Sequence, residues 1–143
     1  MTVTIRRARR EEQSDCLALI GLLRDEAVIE PWRRTFEHLL TEERGTVLVA
    51  TDTETNLLGI ATVSFNLAIR YGGEYAQLEE LFVDPKARGK HVGALLVEAV
   101  IAASRERGCA EIGLYLLQHT AHNQPFYEKH GFEVIGAEMR QRL

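Results

Sequence analysis

Leu81-Phe82-Val83-Asp84-Pro85-Lys86-Ala87-Arg88-Gly89-Lys90-His91-Val92-Gly93-Ala94 reads as the end of a strand, a basic turn and the first turn of a helix. Pro85 lacks a backbone donor and stops the strand before it. Beyond the turn, Val92, Leu95, Leu96, Ala99 and Ala103 recur at helical spacing, and Gly108 closes the helix. A helix N-terminus offers unpaired N–H groups and about half an elementary positive charge. Gly89 and Gly93 let the backbone approach an anion closely, and Arg88 and Lys90 add formal charge. Together these features suit a pyrophosphate. Neither the GxxxxGK[ST] pattern of nucleotide hydrolases nor the GxGxxG dinucleotide fingerprint is present.

Upstream of this run, residues 46–51, 57–69 and 75–83 read as three strands. Polar turns at 52–56 and 71–74 join them into an antiparallel meander. Residues 3–8 read as a first strand. Glu11 and Glu12 then open a helix striped by Cys16, Leu19, Ile20, Leu23 and Ala27. A second helix starts at Pro31, buries Trp32, Phe36, Leu39 and Leu40, and is expected to end at Gly45. Downstream, residues 110–117 form a fifth strand, parallel to the fourth across the helix. A short helix starts near Pro125 and ends at Gly131, followed by strands at 132–135 and 137–142. The expected order is β-α-α-β-β-β-α-β-α-β-β. That is an α/β (α+β) fold with a mixed, mostly antiparallel sheet of about seven strands and about four helices, one domain over residues 1–143.

Composition narrows the function. With 143 residues the chain fits one core, and 45% apolar with 27% charged residues is the balance of a soluble globular protein. No apolar run is long enough for a membrane span, and the N-terminus has no signal-peptide core, so a cytoplasmic location is expected. Seventeen basic residues against 21 acidic ones give a net charge of −4, which argues against nucleic acid as the partner. Cys16 and Cys109 stand at no metal-ligand spacing and read as structural thiols; no metal is expected. His38, His119, His122 and His130 read as surface or loop residues, and the charged run from Arg6 to Glu12 as a solvated strand end.

Arg88-Gly89-Lys90-His91-Val92-Gly93 resembles the acetyl-CoA loop of GNAT N-acetyltransferases, Arg/Gln-x-x-Gly-x-Gly/Ala. Arg88 fills the first position and Gly93 the last. His91 stands where the family usually has glycine. Phe126-Tyr127-Glu128-Lys129-His130-Gly131-Phe132 resembles the family's second signature, FYEKxGF. The resemblance implies a GNAT fold and acetyl-CoA as acyl donor. It assigns Leu81, Phe82 and Val83 to the pantetheine arm, through main-chain groups of Leu81 and Val83. It assigns Arg88, Gly89, Lys90, His91, Val92, Gly93 and Ala94 to the phosphates. Asn123 either contacts the cofactor or caps the helix after it. Tyr127 is implied as the general acid that protonates the leaving thiolate. An ordinary phenol has a pKa of about 10 and a thiol about 8.5, so the phenol holds its proton at neutral pH.

Transfer to an amine also needs a proton acceptor, and the family often places a glutamate on strand four. Glu79 and Glu80 are the candidates. Strand side chains alternate, so only one is expected to face the cleft: Glu79 beside Gln77, Leu81 and Val83, or Glu80 beside Leu78 and Phe82. Glu79 is placed first and Glu80 second; a β-bulge would change that parity. The expected reaction is direct attack of a primary amine in a ternary complex, with a Leu81 N–H on the oxyanion. The acceptor, a small molecule or peptide, would meet Glu26, Glu30, Trp32, Arg33, His38, Tyr71, Glu74 and Tyr75. The family also contains many dimers. The alternative function is a non-catalytic acyl-CoA-binding or protein-interaction module on the same fold.

Overall fold

Thr46, Val47, Val49 and Thr51 are β-branched, and the stretch they dominate, Gly45–Thr51, forms a strand (β2) buried along its whole length. The computed structural model describes residues 2–143. β2 pairs antiparallel with β1 (Thr4–Arg7) on one side and β3 (Leu57–Ala68) on the other. β3 pairs antiparallel with β4 (Gly73–Val83). Helix α3 (Val92–Arg107) then carries the chain across, and β5 (Ile112–Gly113) runs parallel to β4. The sheet order is β1-β2-β3-β4-β5. Helices α1 (Gln13–Arg24), α2 (Glu30–Leu39) and α4 (Gln124–Glu128) complete the domain.

The C-terminal end departs from expectation. β5 is two residues long, against the expected span 110–117, and residues 132–143 form no strand. The sheet therefore has five strands rather than about seven, and the order stops at β-α-α-β-β-β-α-β-α. A new strand needs a neighbour's row of unpaired N–H and C=O groups. β5 meets the ladder only at Ala76↔Ile112 and Gln77↔Gly113, so it offers no regular edge for a sixth strand. Val134, Ile135 and Met139 are accordingly exposed. Three helix ends also differ; α4 stops at Glu128, short of the expected Gly131. α1 stops at Arg24, where Asp25 turns left-handed, and does not reach Ala27. α2 ends at Leu39, and Gly45 is the first residue of β2, not a helix stop.

The sheet separates two apolar clusters. On one face α3 sets Val92, Leu96 and Val100 against Ala61, Val63, Phe65, Ala76 and Leu78. On the other, Cys16, Leu17, Leu19 and Phe36 from α1 and α2 cover Val47, Val49 and Ile60. α3 lies close on its side because β3 has glycine at 59. A Cβ there would stand 2.9 Å from the Phe82 carbonyl oxygen and 3.1 Å from Leu96 Cδ1. At the far end of α3, Arg107 ties three segments together. Its guanidinium pairs with Glu74 at 2.8 Å, donates to the carbonyls of Glu42 and Glu43, and lies 4.3 Å above the Phe65 ring. That contact commits Glu74 to packing, and the guanidinium holds its carboxyl below the usual range.

Candidate active site

The site begins where two strands part. Ala76 N–H donates to the Glu111 carbonyl at 2.9 Å, and the β4–β5 ladder ends at Gln77 and Gly113. From Leu78 onward β4 has a strand partner on only one side among the described residues. Asp84 N–H turns to β3 and donates to Leu58 at 2.8 Å. Backbone direction alternates along a strand, so Leu81 and Val83 aim their N–H groups at the open side. Phe82 aims its backbone the other way, and its ring packs in the α1/α2 cluster with the Arg88 guanidinium 5.7 Å from its centroid. Of the three residues expected on the pantetheine arm, Leu81 and Val83 therefore line the fork and Phe82 lies behind it.

The phosphate loop follows directly. Pro85–Ala87 make one 3₁₀ turn, capped by the Asp84 carboxylate accepting from Lys86 N–H at 2.9 Å. Gly89 has φ +83°, a conformation that glycine reaches without strain. His91 occupies the N-cap of α3 with φ 62° and ψ 18°, and its side chain makes no capping bond. A left-handed backbone at this position is a physical reason for the glycine that usually stands there. Arg88, Gly89, Lys90 and His91 are all exposed. A cleft of about 190 Å³ opens here, lined by Val83, by Ala87, Arg88 and Gly89 and the stretch from His91 to Ala94, and by Phe126. A larger hollow of about 390 Å³ lies between Arg7, Glu37 and Glu42 and shares no residue with either motif.

The second motif forms the opposite wall. Residues Gln118–Asn123 make a 3₁₀ turn that runs into α4, an element not foreseen from the sequence. Asn123 takes the N-cap position of α4, but its side chain makes no capping bond. Phe126 reaches the loop: a Cβ on Gly93 would lie 3.7 Å from Phe126 Cζ and 3.7 Å from Val83 Cγ2. Tyr127 packs edge-on against Phe126 and Phe132 and against the α3-side core. Burial pushes its hydroxyl pKa up, so the phenol keeps its proton more firmly than in water.

The glutamates depart from strict alternation. Pairing shifts by one residue between Thr62↔Glu80 and Val63↔Leu78, a β-bulge that leaves Glu79 as the extra residue. Ser64 Oγ donates to Glu79 at 2.6 Å, and Thr62 Oγ1 donates to Glu80. Thr62 and Ser64 stand two apart on one face of β3, so both carboxyl groups occupy that face. The expectation that only one can do so is overturned by the bulge. Glu80's carboxyl pKa is raised, first by burial and further by the nearby Glu79 charge, against the Thr62 hydrogen bond. The two hydroxyl partners were not singled out from the sequence. Their signal was two polar residues at alternate positions inside the apolar run 57–65.

Most of the other acceptor candidates are engaged with neighbouring side chains. Glu26 and Glu30 pair with Arg24 and Arg33, Trp32 packs on the α1/α2 core, and Tyr71 and Tyr75 stack with Arg70. Cys16 is buried, its thiol pushed up to about 12 by burial, which suits a structural thiol. Among the described residues no group of three His, Cys, Asp or Glu side chains could hold a metal ion, and no helix is long and apolar enough to cross a membrane.

A family model described as "Acetyltransferase (GNAT) family" matches residues 7–132. A glucosamine 6-phosphate N-acetyltransferase of Trypanosoma brucei brucei is 31% identical over 88 residues, 61% of this chain and 58% of its own length. The chain thus spans little more than half of that relative. The Arabidopsis thaliana enzyme of the same name is 29% identical over 77% of this chain and 74% of its own. Its crystal structure superposes with a TM-score of 0.81 at 22% identity, covering 99% of both chains. A transcriptional regulator from Bacillus halodurans C-125 superposes with a TM-score of 0.86 at 24% identity, over 99% of this chain and 100% of its own. At such identities the superpositions speak for the fold.

Proposed function

The chain belongs to the GNAT acetyltransferase family, and from that premise we propose that it transfers the acetyl group of acetyl-CoA to a primary amine by direct attack in a ternary complex. One observation carries the reading: the exposed basic loop, Val83 on the open side of β4 and Phe126, the neighbour of Tyr127 on α4, line a single cleft at the fork in the sheet. The loop amides, Arg88 and Lys90 hold the pyrophosphate at the N-terminus of α3. The unpaired backbone of Leu81 and Val83 takes the pantetheine amides as a further strand would.

On this reading Glu79, the more exposed carboxylate, draws the cationic amine to the fork. Glu80, whose burial strengthens its hold on a proton, takes one from the amine directly or through a water. The amine nitrogen bonds to the thioester carbon, and the Leu81 N–H stabilises the oxyanion. The carbon–sulfur bond then breaks, Tyr127 gives its phenolic proton to the sulfur, and the second proton of the former ammonium leaves to solvent, from which Tyr127 recovers one. Neither free cysteine borders the fork, so no acyl-enzyme step is assigned.

A small-molecule amine is the acceptor class we favour, in keeping with relatives named for glucosamine 6-phosphate. We further propose a homodimer in the cytoplasm. Tyr115, Leu117, Val134, Ile135 and Met139 expose apolar side chains along the segment after β5. Sedimentation at micromolar concentration tests the dimer. Thiol release from acetyl-CoA across a panel of primary amines tests the reaction. Tight acetyl-CoA binding with transfer to no amine would point to the binding module instead.

A further inference from the structure

Gln77 is 7% exposed, and its side-chain amide nitrogen is buried without a hydrogen-bond partner among the described residues. A buried unpaired donor is costly, and native chains rarely keep one without use. Its position gives the use. Gln77 forms the last rung of the β4–β5 ladder with Gly113, at the apex of the fork. A Cβ on Gly113 would stand 3.2 Å from Gln77 Oε1, so glycine leaves the amide room across the end of β5. On the other side Gln77 faces Ser64, whose hydroxyl is already engaged with Glu79 at 2.6 Å and Asn66 at 3.0 Å. Gln77 and Glu79 are two apart before the bulge and share one face, roughly 7 Å along the strand.

We propose that the Gln77 amide donates a hydrogen bond to an oxygen carried by the acceptor close to its amine, so that the acceptor is a hydroxylated amine such as an amino alcohol or amino sugar. The inference rests on the acetyltransferase reading and deepens its acceptor half. An N–H donor needs an oxygen opposite it. A substrate held by its ammonium at Glu79 and by an oxygen at Gln77 carries the two groups on neighbouring carbons. A polyamine would set a second N–H donor against the first and leave both unpaired.

Two probes differ only in that oxygen: trans-2-aminocyclohexanol and cyclohexylamine. Thiol release from acetyl-CoA gives kcat/KM for each, and calorimetry on the CoA-saturated protein gives each Kd. The wild-type protein is expected to favour the amino alcohol by about tenfold or more, because a buried donor left unpaired rejects the analogue that lacks the partner. In Gln77→Met and Gln77→Leu the ratio is expected to fall toward one. The apo variants should melt no lower than wild type, since the amide they remove has no internal partner. Equal handling of the two probes by the wild-type protein, an unchanged ratio in both variants, or a clear loss of stability in both overturns the assignment. Turnover of both probes at equal efficiency would sink the Gln77 assignment and leave the transferase reading standing. A binding preference with no thiol release from any amine would do the reverse.

Discussion

Glu79 and Glu80 are neighbours in sequence, yet both turn their carboxyl groups to the face of β4 that carries Ser64 and Thr62 across the strand. A single bulge accounts for it. Two carboxylates side by side raise the proton affinity of the more buried one, which is the property a proton acceptor for an amine needs.

Glu80→Gln separates stability from activity. The folded carboxyl titrates above its ordinary value, because burial and Glu79 outweigh the Thr62 hydrogen bond. The native state therefore binds more protons than the unfolded chain, and wild-type stability falls as pH rises from the ordinary glutamate range through the raised folded value. The amide variant should match wild type in acid and melt higher at neutral pH, while kcat drops by roughly 10²-fold. Thermal melts across pH and thiol-release rates check both halves. A neutral-pH melting temperature below wild type would contradict the burial argument.

Tyr127→Phe keeps the packing against Phe126 and Phe132 and removes only the proton donor. Acetyl-CoA affinity should be retained and kcat should fall roughly 10²-fold. The wild-type rate should also lose its high-pH limb only above the ordinary phenol range, because burial raises the Tyr127 pKa. Full activity in the variant would remove the acid assignment.

Gly93→Ala tests the loop. A Cβ there meets Phe126 and Val83 at 3.7 Å each, ordinary contact distance, so the folded protein accommodates it. Removing a glycine from the first turn of α3 should stabilise the apo protein by about 0.5–1 kcal/mol. The resembled loop pattern carries glycine or alanine at this position, so calorimetry should show acetyl-CoA affinity kept within about threefold, while Gly93→Glu, which on the proposed pose sets a carboxylate beside the phosphates, should lose about tenfold or more. Unchanged affinity in the glutamate variant would place the pyrophosphate elsewhere.

His91 offers a backbone test. Its left-handed conformation costs about 1 kcal/mol that glycine avoids, while glycine adds unfolded-state entropy of similar size. His91→Gly should therefore stay within about 1 kcal/mol of wild type in urea unfolding, and His91→Val should lose about 1–2 kcal/mol more. If the valine variant equals the glycine one, the loop backbone relaxes and the conformation is not enforced.

The central sheet and the loop were legible because their signals are local. A proline, two glycines and a helical stripe between 85 and 108 fix a strand–turn–helix wherever the chain goes next. The final strands were not, because 132–143 has strand-like composition but depends on an edge that β5 does not supply. The glutamate pair was half legible: Glu79 and Glu80 stood out, but the bulge that unites them is a property of how β4 registers against β3. Gln77 is not legible as a binding group, because its meaning lies in a side-chain nitrogen without a partner among the described residues, which no sequence displays.

The division of the interior into two clusters, one under α3 and one under α1 and α2, has a consequence for how such a chain can change. The acyl-donor half of the proposed chemistry draws on the fork edge and α3, the acceptor half on the opposite face of β3 and β4. A substitution at Ser64, Asn66 or Gln77 perturbs one layer and leaves the packing beneath α3 untouched. New acceptors can then be explored one side chain at a time while the grip on the common donor is inherited intact.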